Sequence, residues 1–245
     1  MKKLTNGFIK WTILFSIFMM LPLSINAAPI TRKQLEKNIE KTIGNYYLEP
    51  FNISADQKGI ITVKGDVETL FDKLKIEELI SQVQGVTSIK DEIKVKAELM
   101  PDNEIKSNIE NELQRNNAIL EPEKIKVEVH NGAVNLSGTV SYFREKLLAQ
   151  SIASWQDGVT DMTSKIIVMS PAAARSDDNL KEIINDLLRK DFSLENNIKF
   201  NISNGVVDII GSTNNLYAKN HIQEEIQHII GVKNTINEIK VKNEY

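Results

Sequence analysis

The glycines of this chain recur at a fixed spacing. Gly59, Gly65 and Gly85 are each followed by another glycine 73 residues later, and by a third after a further 73 residues. Nine of the eleven glycines therefore belong to one triplicated pattern. A constant period with its turn residues in register is the mark of a duplicated structural unit. The sequence thus predicts three copies of one small fold.

Each copy predicts the same order of elements: helix, strand, strand, helix, strand. In the first copy Leu35, Ile39 and Ile43 stand four residues apart, which is helical spacing. In the second copy, alternating apolar residues flank Asn131-Gly132. This pair is a strong hairpin signal, because both central positions of a type I′ turn need a positive φ.

The connection between the second and third strands of a unit determines the fold class. Such a crossover is expected to be right-handed and to make the two strands parallel. We therefore predict an α+β fold of three tandem α-β-β-α-β units, each a two-layer sandwich of two helices on a three-stranded mixed sheet. The expected domains are residues 31–97, 102–169 and 176–243. Units of this size are near the lower limit for an independent core, so we expect neighbouring units to pack together.

The N-terminal segment differs from the rest of the chain. Lys2, Lys3 and Lys10 precede an apolar run over residues 11–23, and small residues follow as far as Ala27. This layout predicts a secretory signal peptide, residues 1–27. The alternative is an uncleaved membrane anchor, but the run is shorter than the roughly 20 apolar residues that span a bilayer. We expect cleavage after Ala27 and a soluble periplasmic protein.

Composition restricts the chemistry further. The chain has no cysteine, which excludes a bacterial lipoprotein anchor, disulfides and thiolate chemistry. Its net charge is −3, and removal of residues 1–27, which hold three lysines and no acid, makes it −6. A chain of this charge gives no electrostatic reason to expect nucleic-acid binding.

The repeated motif resembles a known family. The run VNLSGTV at 134–140, followed by a helix, Gly158-Val159 and a strand ending at Val168, is similar to the BON domain of bacterial osmotically induced and nodulation proteins. The first copy matches at 61–67. The third matches as well, although Thr213 replaces the usual valine. The resemblance covers nearly all of the mature chain.

The resemblance implies a periplasmic, non-enzymatic binding module that is associated with anionic phospholipid surfaces, envelope integrity and osmotic stress. It implies no catalytic residues and no cofactor. The sequence agrees, because it contains neither a phosphate-binding loop nor a nucleophile elbow. The alternative function is a periplasmic protein–protein interaction scaffold. Sequence leaves the oligomeric state open.

Candidate binding residues are found where the copies differ. On the second helix of the second copy, Leu148, Ile152 and Trp155 form an apolar stripe where the other copies are mostly polar. Tryptophan favours interfaces, because its ring is apolar while its N–H stays hydrated. We predict a lipid- or partner-binding surface, and a neighbouring repeat counts among the partners. The alternative is a rotated helix with Trp155 in the core.

A second candidate surface lies on the first helix of the third copy. There Ile183 and Leu187 widen the apolar face, and Arg189, Lys190 and Phe192 follow at its end. Apolar, basic and aromatic residues together suit an anionic bilayer surface. The simpler interpretation is a broad core-facing helix whose terminal cations complement its dipole.

The third copy also carries His221, Glu225 and His228 on one predicted helical face. Their spacing matches no common zinc motif. We therefore interpret them as a solvated polar face and expect no metal.

Overall fold

The computed structural model describes residues 30–48, 50–169, 175–192 and 197–242. Within them the chain forms three units, each with two helices and a three-stranded mixed sheet, so the predicted fold class is confirmed. The predicted signal peptide, residues 1–27, lies outside the described residues. No helix in the described ranges is long and apolar enough to cross a membrane.

The three units have matching elements. Repeat 1 consists of α1 (Arg32–Gly44), β1 (Asn52–Ala55), β2 (Ile60–Val67), α2 (Leu70–Ser81) and β3 (Ser88–Val95). Repeat 2 consists of α3 (Asp102–Arg115), a short 3-10 turn (Pro122–Lys124), β4 (Ile125–His130), β5 (Ala133–Val140), α4 (Phe143–Ser154) and β6 (Asp161–Val168). Repeat 3 consists of α5 (Asp177–Asp191), β7 (Lys199–Ser203), β8 (Val206–Thr213), α6 (Leu216–His228) and β9 (Asn234–Val241).

In each sheet the middle strand pairs antiparallel with the first strand and parallel with the third. Alternate residues of the middle strand are buried, such as Ile61 and Val63 in β2, and they pack against the helices. The other face is polar and carries ion pairs such as that between Lys64 Nζ and Glu92 Oε2, at 2.6 Å. The core of each unit therefore lies between one sheet face and two helices.

The hairpin turns of repeats 2 and 3 are held by the first residue of the preceding helix. Asn131 and Gly132 have φ values of 52° and 77°, as a type I′ turn requires. The Asp102 carboxylate accepts hydrogen bonds from the backbone N–H groups of Asn131 (2.8 Å) and Gly132 (2.9 Å). Asp177 makes the same two bonds in repeat 3. Each helix is thereby fixed to the hairpin of its own unit.

The three second helices, α2, α4 and α6, contact one another pairwise. The contacts run head to tail. The start of α2 meets the end of α4 where Phe71 stacks on Trp155, and the start of α4 meets the end of α6 where Phe143 packs on His228. The start of α6 returns to repeat 1, where Leu216 packs against the core. Head-to-tail contacts that return to the first member form a closed ring.

The first residues of α2 and α6 pack into the hydrophobic core of the next repeat in the ring. Leu70 begins α2 in repeat 1, yet it is buried within the hydrophobic core of repeat 2 beside Ile105 and Val159. Leu216, its counterpart in repeat 3, packs against the core of repeat 1. Repeats 1 and 2 therefore each receive a core residue from a neighbour, as their small size leads one to expect, whereas Phe143, the counterpart of Leu70 in repeat 2, lines open clefts instead.

We predict that Leu70→Ala destabilises repeat 2 more than repeat 1. Truncating a fully buried leucine costs about 2–5 kcal/mol, because a cavity remains. Urea unfolding should show this loss, and hydrogen exchange should lose protection chiefly in repeat 2. Leu74→Ala, on the same helix but 40% exposed, is the control and should cost less than about 1 kcal/mol. Loss of protection confined to repeat 1 would contradict the shared core.

The Asp102 bonds predict a pH dependence. The two backbone N–H donors hold the pKa of Asp102 below its usual value of 3.8. Since the folded pKa is depressed, the stabilisation is complete above the unfolded pKa and is lost as the pH falls through the folded pKa. Asp102→Asn should therefore lower the urea midpoint near neutral pH and reduce its decline in acid below about pH 4. Asp157→Asn, at an exposed aspartate, should leave the pH profile unchanged.

Candidate functional site

The apolar stripe predicted on α4 divides between the core and a junction. Leu148 and Ile152 are half-buried and pack against the core of repeat 2. Trp155 is 57% exposed and stacks on Phe71 of repeat 1, with ring centroids 3.9 Å apart and planes 27° apart. Trp155 thus fills the junction between repeats 1 and 2 and does not enter a core.

The surface predicted at the end of α5 is smaller than the sequence suggests. Phe192 is only 9% exposed, packs with the core of repeat 3 and contacts the edge of the His221 ring. The helix ends at Asp191, so the chain can direct the Phe192 side chain inward. Phe192 therefore presents little of its surface to a membrane or partner.

The other residues of that surface keep part of their exposure. Ile183 and Leu187 are half-buried, and Leu187 packs against the core of repeat 3. Arg189 and Lys190 are exposed, but Arg189 forms an ion pair with Asp186 on the same helix. An exposed pair of this kind contributes at most about 1 kcal/mol to stability, yet it neutralises the local charge of the arginine.

The ring contains three equivalent junctions, and their contents differ. The junction between repeats 1 and 2 is occupied by the Phe71–Trp155 stack. Between repeats 2 and 3, Phe143 and His228 lie 5.5 Å apart by ring centroids, and open clefts flank Phe143. Equivalent positions have thus produced one closed junction and one open junction.

We call the two clefts that flank Phe143 the junction groove. Their volumes are about 320 and 330 Å³, and they share Phe143, Val168, Gln227 and Val232 as walls. The cations that line the groove are Arg144, Lys146 and Lys233, and the His228 imidazole lies beside them. Among the described residues that line these two clefts, none is acidic. The groove is therefore apolar inside and basic at its rim.

The groove cations also lack ionic partners. Within the described ranges, Arg144, Lys146 and Lys233 take part in no salt bridge, and Arg144 instead lies over the Tyr142 ring at 5.1 Å. Repeat 1 behaves differently, since five of its lysines pair with carboxylates: Lys64, Lys73, Lys75, Lys90 and Lys96. Unpaired cations beside an apolar cleft leave the junction groove able to accept an anionic group.

The junction between repeats 3 and 1 has the opposite charge. A cleft of about 390 Å³ is lined by Glu77 and Glu78 of α2 and by Glu224 and Tyr217 of α6. Burial, followed by the nearby Asp91 carboxylate, raises the pKa of Glu77 to about 7. Burial and then Glu78 and Glu224 raise the pKa of the Tyr217 phenol. The two open junctions therefore present different chemistry.

The His221, Glu225 and His228 face lies on α6 as predicted. The Nδ1 atoms of His221 and His228 are each 4.0 Å from Glu225 Oε1. His221 stacks on Tyr217 at 5.2 Å, and His228 packs on Phe143. Over the described residues, no group of three or more potential ligands is arranged to hold a metal ion.

Sequence reasoning missed the junction groove. Its cations sit among ordinary surface charges in the sequence, and nothing there shows that they meet across a junction. A signal was present nonetheless. Lys146 is the counterpart of Lys73, whose partner Asp91 corresponds to Ser164 in repeat 2, so the loss of an acid could have been found by comparing the third strands.

The fold and its ring define a protein built from three α-β-β-α-β repeats. The sequence model of the BON domain matches residues 31–97, 101–170 and 176–243, so the chain belongs to the BON domain family. No curated protein matches the chain at a significant level.

Two solved structures illustrate the wider similarity. One is CdsD, a structural protein of the type III secretion system of Chlamydia trachomatis, at 18% identity over 84% of this chain and 91% of that chain, with a TM-score of 0.24. The other is the periplasmic domain of the inner-membrane protein PrgH from S. typhimurium, at 12% identity over 79% of this chain and 100% of that chain, with a TM-score of 0.20. TM-scores this low support no conclusion about function.

Tryptophan fluorescence can test whether the Phe71–Trp155 stack is present in solution. Phe71→Ala should shift the Trp155 emission to longer wavelength, because the indole loses its aromatic cover, and should cost about 0.5–1.5 kcal/mol beyond the lost buried area. The mature chain predicted from the sequence has Trp155 as its single tryptophan, so the emission reports one place. Tyr46→Ala, at another exposed aromatic in repeat 1, is the control. An unchanged spectrum in Phe71→Ala would show that the stack does not persist in solution.

Proposed function

We propose that this chain is an exported, non-enzymatic envelope protein that binds anionic phospholipid surfaces through the junction groove and the apolar residues around it. The observation that carries the proposal is the set of unpaired cations, Arg144, Lys146 and Lys233, on the rim of an apolar groove. The BON repeats and the predicted signal peptide support a periplasmic location. Support of envelope integrity or of osmotic stress tolerance follows as the proposed role.

The exposed apolar residues near the groove supply the second half of a membrane contact. Ile167 and Met169 are each 62% exposed, and Ile230 is 47% exposed. Ile167 and Ile230 line the groove, and Met169 follows the groove residue Val168. Interfacial binding combines burial of such side chains at the acyl boundary with attraction of basic residues to anionic headgroups.

The local charge matters because the whole chain is acidic. The net charge of −6 on the predicted mature chain repels an anionic surface at long range, but salt screens this repulsion beyond about 8–10 Å. At contact the three groove cations dominate, since each basic residue close to an anionic membrane contributes about 1 kcal/mol. The groove, rather than the surface at the end of α5, is therefore the proposed contact. At that other surface, Arg189 is paired and Phe192 is buried.

A periplasmic protein-interaction scaffold is the second candidate function. It is favoured by a different feature of the same region, the backbone of strand β6, where, among the described residues, Ile166 lacks the side-chain acceptor that its counterparts Ile93 and Ile239 have. The two candidates differ in the chemical groups that they use, so they can be tested separately.

The lipid proposal predicts co-sedimentation with phosphatidylglycerol-containing vesicles and none with phosphatidylcholine vesicles. Combining Arg144→Glu, Lys146→Glu and Lys233→Glu should weaken binding by about a hundredfold or more, from the loss of about 1 kcal/mol per cation. The matched control combines Lys126→Glu, Lys181→Glu and Lys199→Glu, at exposed lysines elsewhere, and changes the net charge equally. Equal losses in the two triple variants, or equal binding to neutral vesicles, would sink the proposal.

A further inference from the structure

The third strand of each repeat lies at an edge of its sheet. The three edges have the same register, with Gly65 opposite Ile93, Gly138 opposite Ile166 and the corresponding glycine of β8 opposite Ile239. In a parallel pair, alternate residues direct both their N–H and C=O groups away from the partner strand. At these isoleucines both groups point to the free edge, as the contacts of Ile93 demonstrate.

In repeat 1 side chains block this edge. The Ile93 N–H donates to Asp91 Oδ1 at 2.8 Å, and Lys73 Nζ donates to the Ile93 carbonyl at 3.3 Å. Lys73 also pairs with Asp91 Oδ2 at 2.5 Å. The outward N–H and C=O groups of Ile93 are therefore already satisfied. Natural sheets commonly protect their edges in such ways, since an unprotected edge pairs with other chains.

Repeat 3 blocks its edge with an amide. The Ile239 N–H donates to Asn237 Oδ1 at 3.1 Å. The Asn237 amide nitrogen donates to the Lys219 carbonyl at 2.9 Å and to Gln223 Oε1 at 3.0 Å, which fixes its orientation. Helix α6 thus holds the blocking side chain in place.

Repeat 2 lacks the block. Its counterpart of Asp91 and Asn237 is Ser164, whose shorter side chain reaches no partner, so that within the described ranges the buried Ser164 Oγ has no hydrogen bond. Over the same residues, no side chain accepts from the Ile166 N–H, and Lys146 binds no carboxylate. The Ile166 N–H is therefore left without a side-chain acceptor, and Ile166, although only 3% exposed as a whole residue, lines the neighbouring cleft.

This unblocked edge lines a groove that suits a peptide strand. Ile166, Ile167 and Val168 form one wall of a cleft of about 330 Å³ in the junction groove. Phe143 and Val232 provide apolar surface beside it, while Lys146 and Lys233 provide positive charge. Backbone groups, apolar pockets and cations thus occur together along one strand.

We propose that the β6 edge binds an extended segment of a partner protein in which acidic and apolar residues alternate. The segment adds a strand beside β6 and pairs with the Ile166 N–H and C=O groups. Its apolar side chains enter the cleft beside Phe143, and its carboxylates meet Lys146 and Lys233. Main-chain pairing supplies affinity in this mode, and alternate side chains supply specificity.

Charge argues against a second copy of the chain as the occupant. Edge-to-edge pairing of two β6 strands brings the groove cations Lys146 and Lys233 of both copies together. Like charges placed opposite each other destabilise such a pairing. An acidic segment removes this repulsion. The inference does not depend on lipid binding, because it rests on the backbone of β6.

The test uses a fluorescein-labelled peptide of alternating glutamate and valine, measured by fluorescence polarisation with the full mature chain. We expect saturable binding, and slower hydrogen exchange of the Ile166 amide when the peptide is bound. Ser164→Asn should weaken binding at least about tenfold, because it copies the Asn237 arrangement and closes the edge while leaving Lys146, Lys233 and Arg144 in place. A lysine–valine peptide and a backbone N-methylated glutamate–valine peptide should not bind.

Several results would overturn the proposal: no binding of the glutamate–valine peptide, unchanged affinity in Ser164→Asn, or binding of the N-methylated peptide. A concentration-dependent dimer that Ser164→Asn abolishes would assign the edge to a second copy instead.

Vesicle binding separates the two proposals, because Ser164→Asn should retain it. Loss of peptide binding with vesicle binding intact tests the edge alone, whereas failure of wild-type vesicle binding contradicts only the lipid proposal. Circular dichroism of Ser164→Asn should match the wild type.

Discussion

The insertion of one helix start into the neighbouring repeat is the contact on which the molecule depends. Leu70 contributes to the core of repeat 2, and Leu216 covers the core of repeat 1. Units of about 70 residues bury a limited fraction of their surface and are marginal alone. Such core residues from a neighbour add buried apolar area without lengthening any unit, and they make the stability of repeats 1 and 2 depend on the neighbouring repeat.

Because the ring positions are equivalent, differences between the copies become differences between the junctions. Trp155 and His228 occupy the same helical position, and the junction with tryptophan is filled while the junction with histidine is open. Lys73 and Lys146 are likewise equivalent, but only Lys73 has a carboxylate partner. Triplication supplied three similar surfaces, and single substitutions gave them separate chemistry. The proposed functions arise from those substitutions rather than from the shared motif.

The fold followed almost entirely from the spacing of glycines and apolar residues, because hairpin turns and helix periodicity are local. The site followed less well. The sequence predicts Trp155 at an interface. Its partner Phe71 lies in another repeat, and the sequence does not show that these two residues meet in space. Phe192 looked exposed because it follows two cations, yet the end of the helix directs it inward. Ser164 is an unremarkable residue until the strand register shows which backbone groups it leaves open.

The closed ring also has a consequence for the order in which the chain can assemble. The junctions between repeats 1 and 2 and between repeats 2 and 3 join neighbours in sequence, so each can form once the second of its repeats has been made. The contact between repeats 3 and 1 requires Leu216, which is synthesised long after repeat 1 is complete. During synthesis, repeat 1 therefore exists with part of its core uncovered. That interval ends only when α6 arrives, which makes repeat 1 the part of the nascent chain with the greatest need of protection from aggregation.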